Sequence, residues 1–268
     1  MRNALWSAAA LLLGACGGAL PEAPPAALAG EYYGEAMGMN GAQSVERDLQ
    51  FNEHSSASTV VCAGSTRVYG VDVSVYQGSV NWRSVRAAGK QFVYIRYSDG
   101  TGYLDPYFSS NWRNAKAAGL TVGAYQFFRA SQNATTQADL VINAVSSLGG
   151  IGQPNLPIAI DVETNDGQSN ATVINAVNTW LSRVQSRTGR YRPMLYTSPG
   201  FWSGLGSPYP NPLPYLWVAN WGVSCPALPY PWGRLRFWQY SDTGSVAGIS
   251  GAVDTDLYNG SLAEMQGL

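Results

Sequence analysis

Histidine is almost missing from the sequence, and its scarcity limits the chemistry available to the protein. The only histidine, His54, lies in a polar segment with no sign of belonging to a folded domain. A Ser/His/Asp hydrolase and a histidine-ligated metal site both need histidine at the reacting centre, so we exclude both from the folded domain. We therefore expect no metal and no other cofactor, and we expect any reaction to depend on carboxylates.

Charged residues are also scarce. They make up 12% of the 268 residues, and the formal net charge is −1, so the chain lacks the basic surface that nucleic-acid binding requires. The hydrophobic share of 46% can bury one sizeable core, which favours a single main domain, and we expect a monomer. By contrast, 9 Trp and 16 Tyr are present, and aromatic rings with a polar edge suit sugar faces as well as protein cores.

The N-terminus has the pattern of an export signal. Arg2 precedes the short apolar stretch ALWSAAALLLG, and the run Leu13-Gly14-Ala15-Cys16 follows the pattern of a bacterial lipobox. This pattern predicts a lipoprotein signal peptide over residues 1–15 and a lipid anchor on Cys16, which would hold the exported protein at a membrane surface, periplasmic or on the cell exterior. The alternative is an ordinary signal peptide followed by a chance cysteine, with release from the cell.

Residues 16–60 are small and polar without sustained periodicity, and they predict a flexible tether ahead of a folded domain over residues 61–268. Once Cys16 is assigned to the anchor, Cys62 and Cys225 remain. In an exported and therefore oxidising setting, we expect these two to form a disulfide rather than stay free thiols.

Eight short apolar runs follow, and each ends in polar residues. The first five are separated by segments with helical spacing, whereas the later connections are rich in Pro and Gly. This alternation predicts an α/β barrel of parallel strands that ends in helix-poor strands, with a doubly wound open sheet as the alternative. The runs are YGVDVS, FVYIRYS, TVGAYQFF, LPIAIDVE, PMLYTS, LWVANW, RFWQYS and GAVDTDLY.

Acidic residues fall where such a barrel places its working groups, at the ends of strands. Asp72 lies in the first run, Asp161 and Glu163 close the fourth, and Asp254 with Asp256 lies in the last. Residues i and i+2 of a strand share a face about 6.6 Å apart, so Asp161 and Glu163 should both point into the mouth. Two close, partly buried acids favour a raised pKa in at least one, as glycosidic cleavage requires, although a lone D-x-E is often a helix cap or a salt bridge.

Seven segments in this order resemble the glycoside hydrolase family 25 muramidases, lysozymes that cut bacterial peptidoglycan. The resemblance covers about residues 68 to 260 and implies a modified TIM-like barrel with five strand-helix units followed by three helix-poor closing strands. It also implies peptidoglycan glycan strands as the substrate, cut at the β-1,4 bond from N-acetylmuramic acid to N-acetylglucosamine. The segments are GVDVSVYQGSVNW, FVYIRYSDGT, AAGLTVGAYQFF, LPIAIDVE, LWVANW, FWQYS and GISGAVDTDLYNG.

The resemblance implies a role for each of four acids. Glu163 becomes the general acid that protonates the leaving sugar oxygen, and Asp161 stabilises positive charge at the sugar or orients a reacting group. Asp72 and Asp254 become supporting carboxylates, whereas Asp256 is better explained as a structural hydrogen-bonding partner. The resemblance also favours retention of the anomeric configuration with participation of the substrate acetamido group, while a carboxylate nucleophile remains the other route.

Several residues near the strand ends are candidate sugar contacts as a group, although each taken alone is better explained by packing. The chain also departs from the family pattern: Gln126 stands where His is frequent, Arg96 where Lys is common, and Asp99 where Glu is common. These departures leave the glycan preference and the pH optimum open. A non-catalytic glycan-binding lipoprotein on the same barrel is the second hypothesis, and a metal-dependent deacetylase is disfavoured by the missing histidines. The candidate contacts are Tyr125, Tyr196, Trp221, Trp238 and Gln239.

Overall fold

The computed structural model describes Met37 and residues 58–189 and 192–268. The predicted signal peptide, Cys16, His54 and most of the predicted tether therefore lie outside the described residues. Within the described ranges, no helix has both the length and the apolar character needed to cross a membrane.

Strands and helices alternate through the first two thirds of the described domain. The helices are α1 (Trp82–Ala87), α2 (Phe108–Ala117), α3 (Ala134–Ser147), α4 (Asn170–Thr188), α5 (Pro199–Gly204) and α6 (Leu262–Gln266), with a 3-10 turn at Val75–Gln77. The strands are β1 (Ser58–Val60), β2 (Arg67–Val73), β3 (Phe92–Asp99), β4 (Tyr103–Leu104), β5 (Thr121–Phe127), β6 (Ala159–Asp161), β7 (Met194–Thr197), β8 (Tyr215–Ala219), β9 (Ala227–Pro229), β10 (Phe237–Gly244) and β11 (Val253–Asn259).

Eight of these strands close into a barrel in the order β2-β11-β10-β8-β7-β6-β5-β3, and the pairing of β2 with β3 completes the ring. They coincide with the eight apolar runs of the sequence. Each of β2, β3, β5, β6 and β7 is followed by a helix, whereas β8, β10 and β11 follow one another without a described helix between them. The predicted architecture of five strand-helix units and three helix-poor closing strands is confirmed.

The expectation that all strands run parallel is wrong for the last one. β11 pairs antiparallel with both of its neighbours, β10 and β2. Only residues 245–252 connect β10 to β11, and a parallel return across the barrel needs a crossover of about a dozen residues or more. The chain therefore turns back at the mouth, so the start of β11, rather than its end, lies beside the end of β2.

The helices start and end where local side chains satisfy the backbone. Asn133 and Ser169 precede α3 and α4, and their side chains accept hydrogen bonds from the N–H groups of Thr136 and Thr172. α4 ends at Gly189, whose φ of 62° is the left-handed conformation that favours glycine. The buried faces of these helices cover the outside of the barrel, so that its strands are shielded on both faces.

Large aromatic rings fill the inside of the barrel below the mouth. The ring of Tyr94 stacks on that of Trp217 with centroids 4.5 Å apart. The neighbouring strands make room for such rings with glycine. A Cβ atom at Gly70 would lie 2.5 Å from the ring of Phe92, and one at Gly123 would lie 2.5 Å from that of Tyr94. The packed interior closes the barrel from below. The polar groups at the strand ends therefore line an opening, the mouth of the barrel, that does not continue through it.

The predicted disulfide between Cys62 and Cys225 is confirmed. β1 ends just before Cys62, and β9 begins just after Cys225. The two strands pair with each other, and Val60 lies opposite Ala227. The start of the domain is thereby tied to the long connection between β8 and β10. β1 covers Ser58–Val60, so it lies within the last three residues of the predicted tether, directly before the predicted start of the domain at residue 61.

Candidate active site

Three carboxylates meet on the inner face of the barrel at its mouth. Asp72 of β2 and Asp254 of β11 are directly opposite each other in the antiparallel ladder, which places their Cβ atoms about 5 Å apart. Asp161 ends β6. The reversed direction of β11 is what brings Asp254 to this end, because a parallel strand would have placed the first residues of β11 at the opposite end.

Glu163 joins this group from the segment that follows β6. The preceding residue, Val162, is held on both sides, since its N–H donates to the carbonyl of Tyr196 at 3.0 Å and its carbonyl accepts from the Thr197 hydroxyl at 2.9 Å. Glu163 is 8% exposed and Asp161 is 0% exposed. Of the two acids, Glu163 is therefore the one that a molecule in the mouth can reach.

Asp161 and Glu163 form a coupled pair in a dry environment. Burial, and then the charge of Glu163, raise the pKa of Asp161 well above its ordinary value. Neither carboxylate oxygen of Asp161 accepts a hydrogen bond from an N–H or hydroxyl group of the described residues, and the group within hydrogen-bonding reach is the carboxyl of Glu163. Two acids in this arrangement repel each other when both are ionised, which favours a proton on one of them.

The acids on the other side of the mouth are also coupled. Burial raises the pKa of Asp72 to about 6, opposed by hydrogen bonds from Gln239, Asp254 and Asp256. For both Asp254 and Asp256, burial and then the charge of Asp72 raise the pKa well above its ordinary value. Asp256 lies deeper, is 0% exposed and accepts a hydrogen bond from the Trp217 indole N–H at 2.8 Å. This contact supports the structural role predicted for Asp256.

Gln239 connects Asp72 to the aromatic residues of the mouth. Its Oε1 accepts hydrogen bonds from the Tyr196 hydroxyl at 2.8 Å and the Trp221 indole N–H at 3.0 Å. Because two donors occupy the oxygen, the amide must present its NH2 group to the remaining neighbour, and Nε2 donates to Asp72 Oδ2 at 2.9 Å. Gln239 is 0% exposed and holds Asp72 in this structure, and its role as a sugar contact stays a prediction.

Replacing Gln239 with glutamate is expected to lower kcat by about 10- to 100-fold, because a hydrogen bond to a charged group is worth about 1.5–3 kcal/mol. The variant loses the donor and gains a negative charge, and both changes raise the pKa of Asp72. If Asp72 acts ionised, the acidic limb of the profile of kcat against pH moves to higher pH.

Kinetics across pH on Gln239→Glu and Gln239→Met test this positioning role. The methionine variant removes the donor without adding charge and should shift the acidic limb less. An unchanged acidic limb in both variants contradicts the positioning role, even if the overall rate falls.

Four of the five candidate contacts lie on the inner face at the mouth: Tyr125, Tyr196, Trp221 and Gln239. The fifth, Trp238, does not. It packs in the outer core and donates its indole N–H to the carbonyl of Asn220 at 2.8 Å. Successive residues of a strand point to opposite faces, so Trp238 must face outward when its neighbour Gln239 faces inward.

The three departures from the family pattern have different surroundings. Gln126 faces outward and is buried, donating to the Ser98 hydroxyl at 2.8 Å and accepting from the Trp180 indole N–H at 2.8 Å. Arg96, which is 0% exposed, pairs with Asp105 at 3.2 Å. Gln126 is thus separated from the mouth by its own strand, whereas Arg96 lies on the inner face.

Asp99 belongs to an ion-pair network beside the acid pair that the sequence did not reveal. Its Oδ2 accepts a hydrogen bond from Arg129 at 2.7 Å, and Arg129 also pairs with Asp166 at 3.1 Å. Asp166 follows Glu163 by three residues and has a φ of 49°, an uncommon conformation for a residue other than glycine. Arg129 therefore ties the segment after Glu163 to the ends of β3 and β5. No motif marks Arg129, since its partners lie far away in sequence.

This arrangement can perform acid catalysis by carboxylates. It offers a close carboxyl pair in which burial raises the pKa of Asp161 and Glu163 is the more accessible member, and two further acids on the opposite side of the same mouth. Among the described residues, no group of three His, Cys, Asp or Glu side chains is placed to hold a metal ion.

Known proteins resemble the chain throughout this domain. It is 39% identical over 226 residues to Lysozyme M1 of Streptomyces globisporus, covering 78% of this chain and 74% of that protein. It is 34% identical over 205 residues to N,O-diacetylmuramidase of Chalaropsis sp, covering 70% and 96%. The crystal structure of the bacterial lysozyme from Streptomyces coelicolor superposes with a TM-score of 0.70 at 39% identity, covering 76% of this chain and 98% of that one.

The family assignment follows from a sequence profile as well as from these pairwise likenesses. Residues 71–249, more than half of the chain, match the profile of Glycosyl hydrolases family 25. The matched range includes Asp72, Asp161 and Glu163 and ends just before Asp254. The chain therefore belongs to family 25 of the glycosyl hydrolases.

Proposed function

We propose that this protein hydrolyses peptidoglycan at the β-1,4 bond between N-acetylmuramic acid and N-acetylglucosamine. The observation that carries the proposal is the buried carboxyl pair of Asp161 and Glu163 at the mouth of a family 25 barrel. A glycosidase needs one carboxyl that holds a proton near neutral pH, and the raised pKa of Asp161 beside Glu163 supports such a proton in this pair.

Glu163 is the proposed general acid. It gives its proton to the glycosidic oxygen while the bond from that oxygen to the anomeric carbon of muramic acid breaks. The leaving N-acetylglucosamine then departs as an alcohol rather than as an alkoxide. The partial exposure of Glu163 and the anchored backbone of Val162 support this role.

Asp161 is the proposed partner that acts on the sugar. Its carboxylate lies deeper than Glu163, where it can orient the substrate N-acetyl group so that the acetamido oxygen attacks the anomeric carbon. Water then opens the cyclic intermediate, with Glu163 as the base, and the anomeric configuration is retained. Detection of the inverted anomer by NMR early in the reaction contradicts this route.

Asp72 and Asp254 are proposed as supporting carboxylates across the mouth. Their facing positions on β2 and β11 let them hold a proton between them and accept hydrogen bonds from substrate hydroxyl or amide groups. Negative charge on this side also stabilises the positive charge that develops on the sugar ring.

Product analysis tests the proposed bond specificity. The full-length protein is incubated with purified peptidoglycan, and the fragments are reduced with borohydride and identified by mass spectrometry. New reducing ends on muramic acid support the proposal, whereas new ends on glucosamine show that a different bond is cut. Binding to peptidoglycan without any new ends favours the second hypothesis, a glycan-binding lipoprotein on the same barrel.

We also propose that the protein is exported and held at a membrane surface through lipid on Cys16, with residues 16–60 as a tether for the barrel. The N-terminal lipobox pattern supports this location, and so does the wall substrate. Partition of the full chain into the detergent phase, compared with Cys16→Ser, tests it. Recovery of both proteins in the aqueous phase contradicts the anchor.

A further inference from the structure

An exposed aromatic side chain stands directly beside the carboxylates of the mouth. Tyr76 lies in the 3-10 turn that follows β2, four residues after Asp72, and it is 49% exposed. The turn follows the end of β2 that carries Asp72, so the ring of Tyr76 lies at the edge of the mouth, where a molecule bound there can contact it.

A buried cation supports the Tyr76 ring from below. The guanidinium of Arg96 lies 5.6 Å from the centre of the Tyr76 ring and 5.3 Å from that of Tyr103. Arg96 is 0% exposed, and its Nε is 3.2 Å from Asp105 Oδ2. A cation over an aromatic ring is attracted to it. The contact with Arg96 therefore favours one position of the Tyr76 ring although the ring is exposed.

The backbone under Tyr76 is held from both sides. The Val75 N–H donates to Asp105 Oδ2 at 2.7 Å, which joins the turn to the same carboxylate that pairs with Arg96. Ser74 and Gln77 form a capping box, and Gln77 Nε2 donates to the carbonyl of Ala252 at 3.3 Å, just ahead of β11. A ring on a fixed backbone loses little conformational entropy when a ligand covers it.

We propose that Tyr76 forms a sugar-binding rim that stacks against an N-acetylhexosamine residue of the glycan strand, outside the sugars that contact the acids. This inference rests on the proposed function. One rigid aromatic ring fits the flat CH face of a pyranose. It offers far too little area for a protein partner, since a stable protein interface buries more than about 1,000 Å². The rim lengthens the glycan contact and makes affinity depend on chain length.

The test measures binding of glycan oligosaccharides of two, four and six sugars to full-length Glu163→Gln, which should bind without cutting. Adding Tyr76→Ala to this protein is expected to weaken binding of the hexasaccharide by about three- to tenfold. The disaccharide is expected to bind the two proteins equally, because it does not reach the rim.

Two control variants show whether the aromatic ring at position 76 is responsible for the lost affinity. Tyr76→Phe keeps the ring and should bind like Glu163→Gln alone. Tyr209→Ala removes a tyrosine that is 58% exposed on the connection ahead of β8, and it should change nothing. The proposed rim is wrong if Tyr76→Ala leaves the hexasaccharide affinity unchanged, or if Tyr76→Ala and Tyr76→Phe lose affinity equally. Either result leaves the proposed function standing. No binding of any oligosaccharide by any of these proteins overturns both.

Discussion

Replacing Glu163 with glutamine is expected to lower kcat on peptidoglycan by about 10²- to 10⁴-fold, the usual contribution of a general acid. The amide keeps the size of the side chain but has no acidic proton to give to the glycosidic oxygen. KM should change little, because the interaction that is lost belongs to the transition state rather than to the bound substrate. Release of soluble fragments from peptidoglycan measures the rate.

The leaving group distinguishes an acid from a structural residue. An aryl glycoside of the same sugar, with a phenol that leaves readily as an anion, needs little protonation, so Glu163→Gln should retain most of its activity on it. Asp242→Asn is the matched control, since it makes the same kind of change at an exposed acid of β10. Equal losses on peptidoglycan and on the aryl glycoside would show that Glu163 does not act as the acid.

The fold was predictable because local patterns determine most of it. The runs that become β2, β3, β5 and β6 are each followed by a helix-patterned segment, and that alternation allows few architectures. The direction of β11 was not predictable in the same way. The direction of β11 depends on whether the eight residues before it are long enough to cross the barrel. The alternation of apolar and polar residues along a strand does not reveal its direction, because it is the same for parallel and antiparallel strands.

The site was predictable to the extent that it follows strand ends. Asp161 and Glu163 could be placed in the mouth because residues two apart share a face. The same rule gave a signal against Trp238, since Trp238 and Gln239 are adjacent and cannot both face inward. The link from Gln239 to Asp72 spans 167 residues, and the pairing of Arg129 with Asp99 and Asp166 is equally invisible without the folded barrel.

Burial also makes this acid pair costly for the fold. A carboxylate at 0% exposure that has no N–H or hydroxyl donor among the described residues, as at Asp161, loses its hydration and gains little in return. The raised pKa of Asp161 expresses the same cost. Its contribution to stability is complete below the pKa of the unfolded chain and is lost as the pH rises toward the folded pKa, so ionisation of Asp161 destabilises the barrel at neutral pH.

Asp161→Asn should therefore separate activity from stability. We expect kcat to fall by about 10²- to 10³-fold, as when one group that stabilises transition-state charge is removed, because the amide neither stabilises positive charge on the sugar nor steers the acetamido group as an anion does. The melting temperature at pH 7 should rise by about 2–4 °C if the buried charge costs about 1 kcal/mol in a domain of this size.

Calorimetry at two pH values checks the electrostatic origin of the gain. Because burial raises the pKa of Asp161, a smaller fraction of its carboxyl is ionised at low pH, so the advantage of Asp161→Asn should shrink toward pH 4 and grow toward pH 7. A variant that melts lower than wild type at pH 7, or that cuts peptidoglycan at the wild-type rate, contradicts the role assigned to Asp161. If the expected pattern appears, the carboxylate that the reaction requires is also one that the fold would be more stable without, which is the compromise expected of a catalytic group held in a dry barrel.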